Sequence, residues 1–181
     1  MGKEPLILGI DPDSKSTAWA VATIHKVLAV GVVRGPGDVV TMLRNTGLAL
    51  DSICRRGAPE IAVVESQFEG QSPFADILKV AQIAGGMIGQ ITALHPPTRC
   101  SLVLPATWKG QQPKEVNQAR TFTHYAMLYE KAAGYCVPSG CAVASQIDGI
   151  GRLNRGDWKH VADALGLALF GAKLLPSLRP A

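Results

Sequence analysis

Three carboxylates in this chain stand where carboxylates are costly. Asp11 ends the apolar run Leu6–Ile10, Glu65 ends Ile61–Val64, and Asp163 lies within "HVADALGLALF", three residues after His160. A carboxylate among apolar residues loses hydration that only a nearby positive group restores. The three-residue spacing puts His160 and Asp163 on one helix face. If the strands ending in Asp11 and Glu65 are parallel neighbours, their acids meet at one sheet edge, where ligands bind in open sheets. Such a cluster repels itself unless cations neutralise it. Oxygen donors suit a hard cation, Mg²⁺ or Mn²⁺. Two such ions ~3.5–4 Å apart form the usual clamp for phosphodiester hydrolysis.

Each residue also has an ordinary explanation. Asp11 precedes Pro12 and could form an Asx turn. Glu65 could pair with a surface lysine. His160 could be a half-buried surface histidine, and Asp163 a charge favoured by the helix dipole. Their joint occurrence, in this order along the chain, favours the functional reading.

The elements that would carry them follow from pattern. Residues 6–11, 17–23 and 27–33 are short apolar segments separated by turns, which suggests an antiparallel meander. Asp38 is a helix N-cap, and a helix is expected to end near Gly57. Residues 60–66, apolar on both faces, make a central strand. A long helix is expected over 73–94, a fifth strand over 100–105, a polar loop over "ATWKGQQPK", and helices over 114–132 and from Asp157 to about Leu175. Residues 133–156 form a Gly-rich excursion. The order β-β-β-α-β-α-β-α-α predicts an α/β fold, a mixed five-stranded sheet with helices on both faces.

Composition agrees with a folded chain. Of 181 residues, 47% are hydrophobic and 18% charged, enough for one domain with a real core. No uninterrupted apolar stretch approaches the ~20 residues of a membrane helix. With no signal-like segment, the expectation is a soluble, cytoplasmic protein without a membrane partner. The net charge of +4 is uneven: from Arg99 onward there are ten basic and five acidic residues, against eight and nine before it. That asymmetry fits a polyanion partner, or merely a basic surface. Cys54, Cys100, Cys136 and Cys141 include no C-x-x-C pair, so reduced thiols are favoured over a zinc site.

These residues resemble the RuvC family of Holliday-junction resolvases, within the RNase H-like nuclease superfamily. "LGIDPDSKSTAWAV" resembles the family's first motif, "VVESQF" the second, and "HVADALGLAL" the third. The likeness runs over essentially the whole chain, read as a single RNase H-like domain over 1–181. It implies a metal-dependent endonuclease that cuts four-way DNA junctions as a homodimer, with two ions per site. Asp11, Glu65 and Asp163 would be catalytic metal ligands. His160, where many members carry Asp, would ligate the metal or move a proton.

The resemblance further implies that Phe68 stacks on a base at the junction and that Lys109 and Lys114 hold the DNA backbone. Trp108 is read as a packing residue. The helix over 73–94 would supply the dimer interface through Ile77, Ala81, Ala84 and Ile88. Asp13 departs from the family's glycine, and the excursion over 133–156 is longer than expected. Arg152 and Arg155 make that excursion a candidate DNA contact or dimer element. The rivals are a nuclease for RNA–DNA hybrids or other branched substrates, an actin-like ATP binder, for which 181 residues leave no second lobe, and a non-catalytic junction-binding protein.

Overall fold

The computed structural model describes residues 4–66, 73–127, 129–132, 135–138, 149 and 152–175. Three strands come first: β1 (Ile7–Asp11), β2 (Ser16–Ala22) and β3 (Val27–Arg34). They are followed by α1 (Val39–Arg56), β4 (Ile61–Glu65), α2 (Phe74–Leu94) and β5 (Arg99–Val103). The rest is α3 (Pro105–Lys109), α4 (Lys114–His124), β6 (Tyr129–Ala132), β7 (Tyr135–Pro138) and α5 (Trp158–Leu174). The main sheet has the order β3-β2-β1-β4-β5. Pairings β1–β2 and β2–β3 are antiparallel, whereas β1–β4 and β4–β5 are parallel. This is the mixed five-stranded sheet expected, with helices on both faces.

Side-chain alternation sorts the sheet into two cores. Leu8, Ile10, Ala62 and Val64 pack with Met42, Leu50, Ile83 and Met87 of α1 and α2. Ile7, Ile61 and Val63 point the other way, into Leu165, Ala168 and Phe122 of α5 and α4. Burying each large aliphatic side chain contributes about 1.5–3 kcal/mol, so both layers hold the sheet firmly. Parity then decides the site. Asp11 continues the row Ile7-Gly9, and Glu65 continues Ile61-Val63, so both acids belong to the α5 face.

Gly9 sets how closely α5 approaches. A Cβ there would collide with the carbonyl oxygen of Ala164 and stand 2.6 Å from the Ala168 nitrogen. Only a residue without a side chain lets α5 lie directly on β1. Asp163, the residue before Ala164, is thereby carried over the end of β1.

Several expectations are corrected. The helix expected over 114–132 stops at His124. Phe122, Tyr125 and Met127 are all buried, and the chain turns inward to place them. Ala126 takes a left-handed φ of 52°, and the Met127 N–H closes the turn on Phe122 O at 2.8 Å. Residues 129–132 then form a hairpin with 135–138 instead of more helix. The polar loop after β5 contains the short helix α3, begun by Pro105 and ended at Gly110, whose φ is 65°.

Asp38 caps α1 as expected, accepting from Thr41 N–H at 2.8 Å. Asp157 stands before α5 but does not cap it. Its carboxylate accepts instead from the Arg34 guanidinium and from Asn154 N–H. Helix α2 is long and apolar enough, by length and composition, to cross a membrane. One face of it, through Val80, Ile83, Ala84, Met87 and Ile91, is buried in the core. Ala84 is therefore an internal residue, Ile77 and Ile88 are half-buried, and of the four residues expected at an interface only Ala81 is exposed.

Candidate active site

The parallel register pairs Gly9 with Val63 and Ile10 with Val64, so the next step sets Asp11 beside Glu65. Both end their strands at the same edge of the sheet. Helix α5 crosses there and supplies His160 and Asp163. All four side chains line one cavity of about 640 Å³. Asp11, Glu65 and Asp163 are 8%, 5% and 1% exposed. Such burial is tolerable for acids only where positive or donor groups meet them.

Those partners are present. His160 Nδ1 lies 2.9 Å from Asp11 Oδ2. Lys109 Nζ is 3.3 Å from Glu65 Oε2 and 3.5 Å from Asp163 Oδ2, so one ammonium bridges two carboxylates. Lys114 Nζ approaches Asp163 Oδ2 at 2.7 Å. The other oxygen of Asp163 accepts from Gln118 Nε2 at 3.2 Å, and the same amide nitrogen donates to Lys159 O. Trp108 Nε1 donates to Glu65 Oε2 at 3.1 Å.

Protonation follows from this crowding. Burial, and then the charge of Asp11, push Glu65 up to about 7 despite Lys109. Burial likewise raises Asp11, against the hydrogen bond from His160 that lowers it. Burial would depress Lys114, but the carboxylates of Asp163, Asp11 and Glu65 together outweigh it and the ammonium ends above its ordinary value. The cluster holds more negative charge than it can keep without cations.

Asp11, Glu65, His160 and Asp163 are thus brought together, and Lys109 and Lys114 join them rather than standing apart on the surface. Phe68 lies outside the described residues, as do Cys141 and much of the excursion over 133–156. Asp13 belongs to the turn joining β1 and β2. Its Oδ1 accepts from Lys15 N–H at 3.1 Å, while its backbone exchanges hydrogen bonds with the Thr17 hydroxyl. Its carboxylate thus serves the hairpin turn.

Two residues escaped the sequence reading. Trp108 does more than pack, since its indole holds Glu65. Gln118 is fully buried and holds Asp163. Gln118 had a detectable signal, because it stands four residues after Lys114 on the same helix face. Trp108 had none beyond its adjacency to Lys109. Lys15 and Lys79 also line the cavity and enlarge its basic rim.

The donor set suits a hard divalent cation, and the Lys109 ammonium already stands as a cation between Glu65 and Asp163. Among the described residues, no three His, Cys, Asp or Glu side chains are close enough, as they stand, to hold a metal ion. Lys109 and Lys114 pair with Glu65 and Asp163, and His160 with Asp11.

No family model matches the sequence, and no curated protein matches it. Solved structures do match. Thermus thermophilus RuvC in complex with a Holliday junction substrate aligns over 96% of both chains, with a TM-score of 0.67 at 19% identity. The yeast mitochondrial Holliday junction resolvase aligns over 97% of this chain and 84% of its own, with a TM-score of 0.53 at 12% identity. The fowlpox virus Holliday junction resolvase gives a TM-score of 0.50 at 14% identity, over 93% of this chain and 98% of its own. The chain therefore has the RNase H-like fold in the arrangement seen in RuvC resolvases.

Proposed function

We propose that this protein is a metal-dependent endonuclease that resolves four-way DNA junctions by paired phosphodiester hydrolysis, acting as a homodimer. The observation that carries the reading is the gathering of Asp11, Glu65, His160 and Asp163 from two strand ends and one helix into a single cavity. Support comes from the fold shared with solved resolvases, one of them bound to a junction.

Asp11, Glu65 and Asp163 would supply oxygen ligands for two ions, Mg²⁺ or Mn²⁺. Bound divalent ions would make water nucleophilic near neutral pH and stabilise the leaving oxygen. His160 either adds a nitrogen ligand or moves a proton. With Nδ1 engaged at Asp11, its Nε2 is the nitrogen available for either role. Lys109 and Lys114 are long and flexible enough to leave the acids and contact phosphate when divalent cations take over neutralisation. Such contacts fix position and carry little sequence information. Phe68 is proposed to stack on a base at the branch point. Water attacks phosphorus in line, leaving a 5′-phosphate and a 3′-hydroxyl.

The test is nicking of a mobile four-way junction with Mg²⁺, with Mn²⁺ and with EDTA, beside a linear duplex and an RNA–DNA hybrid. The expected result is paired nicks on symmetry-related strands of the junction, abolished by EDTA. Preferential cutting of the hybrid would favour a different nuclease. Tight junction binding without cutting under any metal would identify a non-catalytic binder.

A further inference from the structure

Trp108 is the penultimate residue of α3, directly before the lysine that bridges Glu65 and Asp163. Its indole N–H meets Glu65 Oε2 at 3.1 Å. Its ring lies beneath the Lys109 ammonium, 4.6 Å from Nζ to the ring centre. The far edge of the indole rests on α5 at Gly166. A Cβ at Gly166 would overlap Trp108 Cζ3 and stand 3.0 Å from Cη2. The same helix carries Asp163 one turn earlier.

We infer that Trp108, seated on Gly166, is a positioning residue that fixes the Glu65 carboxylate for cation binding. The inference rests on the nuclease reading, which assigns Glu65 as a metal ligand. A glutamate has three side-chain torsions, and a strand end fixes none of them. Glu65 Oε2 shares its neighbourhood with two donors of different kinds. Lys109 is flexible and charged, so it can leave. The indole is rigid, neutral and wedged between α3 and α5, so it stays. When Lys109 turns away, the indole N–H is the donor that still holds Oε2 in place. Partners that orient metal-binding carboxylates typically contribute about tenfold to a hundredfold in affinity.

Trp108→Phe keeps an aromatic ring above Gly166 and beneath Lys109 but cannot donate a hydrogen bond. The experiment reads Mn²⁺ uptake by electron paramagnetic resonance of the free ion, with the melting temperature in EDTA and junction binding in EDTA as controls. The expected result is an Mn²⁺ affinity lower by about tenfold to a hundredfold, with both controls close to the unmodified protein. Gly166→Ala, which favours helix and ejects the indole, is expected to weaken Mn²⁺ binding similarly. The double variant should be no worse than the weaker single one, because both break the same contact.

Unchanged Mn²⁺ affinity in Trp108→Phe, beside normal uptake and nicking by the unmodified protein, overturns this inference and leaves the nuclease reading intact. Additive losses in the double variant also overturn it. Failure of the unmodified protein to take up Mn²⁺ overturns both.

Discussion

At the scale of residues, the site is a problem in charge. Asp11→Asn removes one acid from the cavity without changing its shape. Cleavage of the junction should fall below detection in a gel assay, while binding in EDTA stays equal or tightens because less negative charge faces phosphate. Retained nicking in Mg²⁺ would defeat the metal assignment.

Glu65 supplies a pH prediction. Its folded value, about 7, lies above the ordinary 4.5, so the folded state holds the proton more tightly than the unfolded chain. The resulting stabilisation is fully present below about 4.5 and is lost as pH rises through about 7. Melting in EDTA should therefore weaken across that window, and Glu65→Gln should flatten the dependence. Nicking should run the opposite way, rising with pH through about 7 as Glu65 becomes available to a cation. An identical melting profile for Glu65→Gln would show that burial does not govern this carboxyl.

At the scale of elements, the packing of α5 on β1 decides whether the acids meet. Gly9→Ala places a methyl group against the backbone of α5 at Ala164 and Ala168. Overpacking of this kind costs about 1–3 kcal/mol or more, and here the contact is rigid backbone. Urea denaturation should show that loss, and nicking should fall further because Asp163 moves with the helix. Asp38→Ala, at the cap of α1, offers the contrast. It should lower the melting temperature modestly and leave nicking by the folded protein unchanged.

The sequence made this layer legible where periodicity and burial agree. The five main strands, α1 and α2 could all be read, because each pairs a clear apolar pattern with a turn or cap. The placement of Asp11 and Glu65 followed from two apolar runs ending in an acid. What escaped were features set by tertiary contacts. Residues 125–127 have no helix-breaking composition, yet Tyr125 and Met127 turn into the core. Trp108 looked like a packing residue because its indole partner lies 43 residues away in the chain. Asp157 looked like a helix cap, but Arg34, 123 residues distant, takes its carboxylate. Local pattern carries no record of such partners.

At the scale of the whole molecule, the outward face of α2 carries exposed apolar side chains. Phe74 and Leu78 are 75% and 47% exposed, and Ala81 continues their row. On the proposed junction-resolving activity, paired cutting would need a second copy, because one site reaches one strand. We propose that this face joins the two copies. The unmodified protein should then sediment as a dimer and Leu78→Glu as a monomer at the same concentration, with an unchanged circular dichroism spectrum. Its nicks should become unpaired. A Leu78→Glu variant that still sediments as a dimer would move the interface elsewhere.

The tie between Arg34 and Asp157 extends this connectedness to the rim of the sheet. Arg34 is the last residue of the outermost strand, and Asp157 stands three residues before His160. The hairpin and the reactive helix are therefore latched at their tips. A substitution at Arg34 therefore acts on the start of the helix that carries His160, although it lies on the far edge of the sheet.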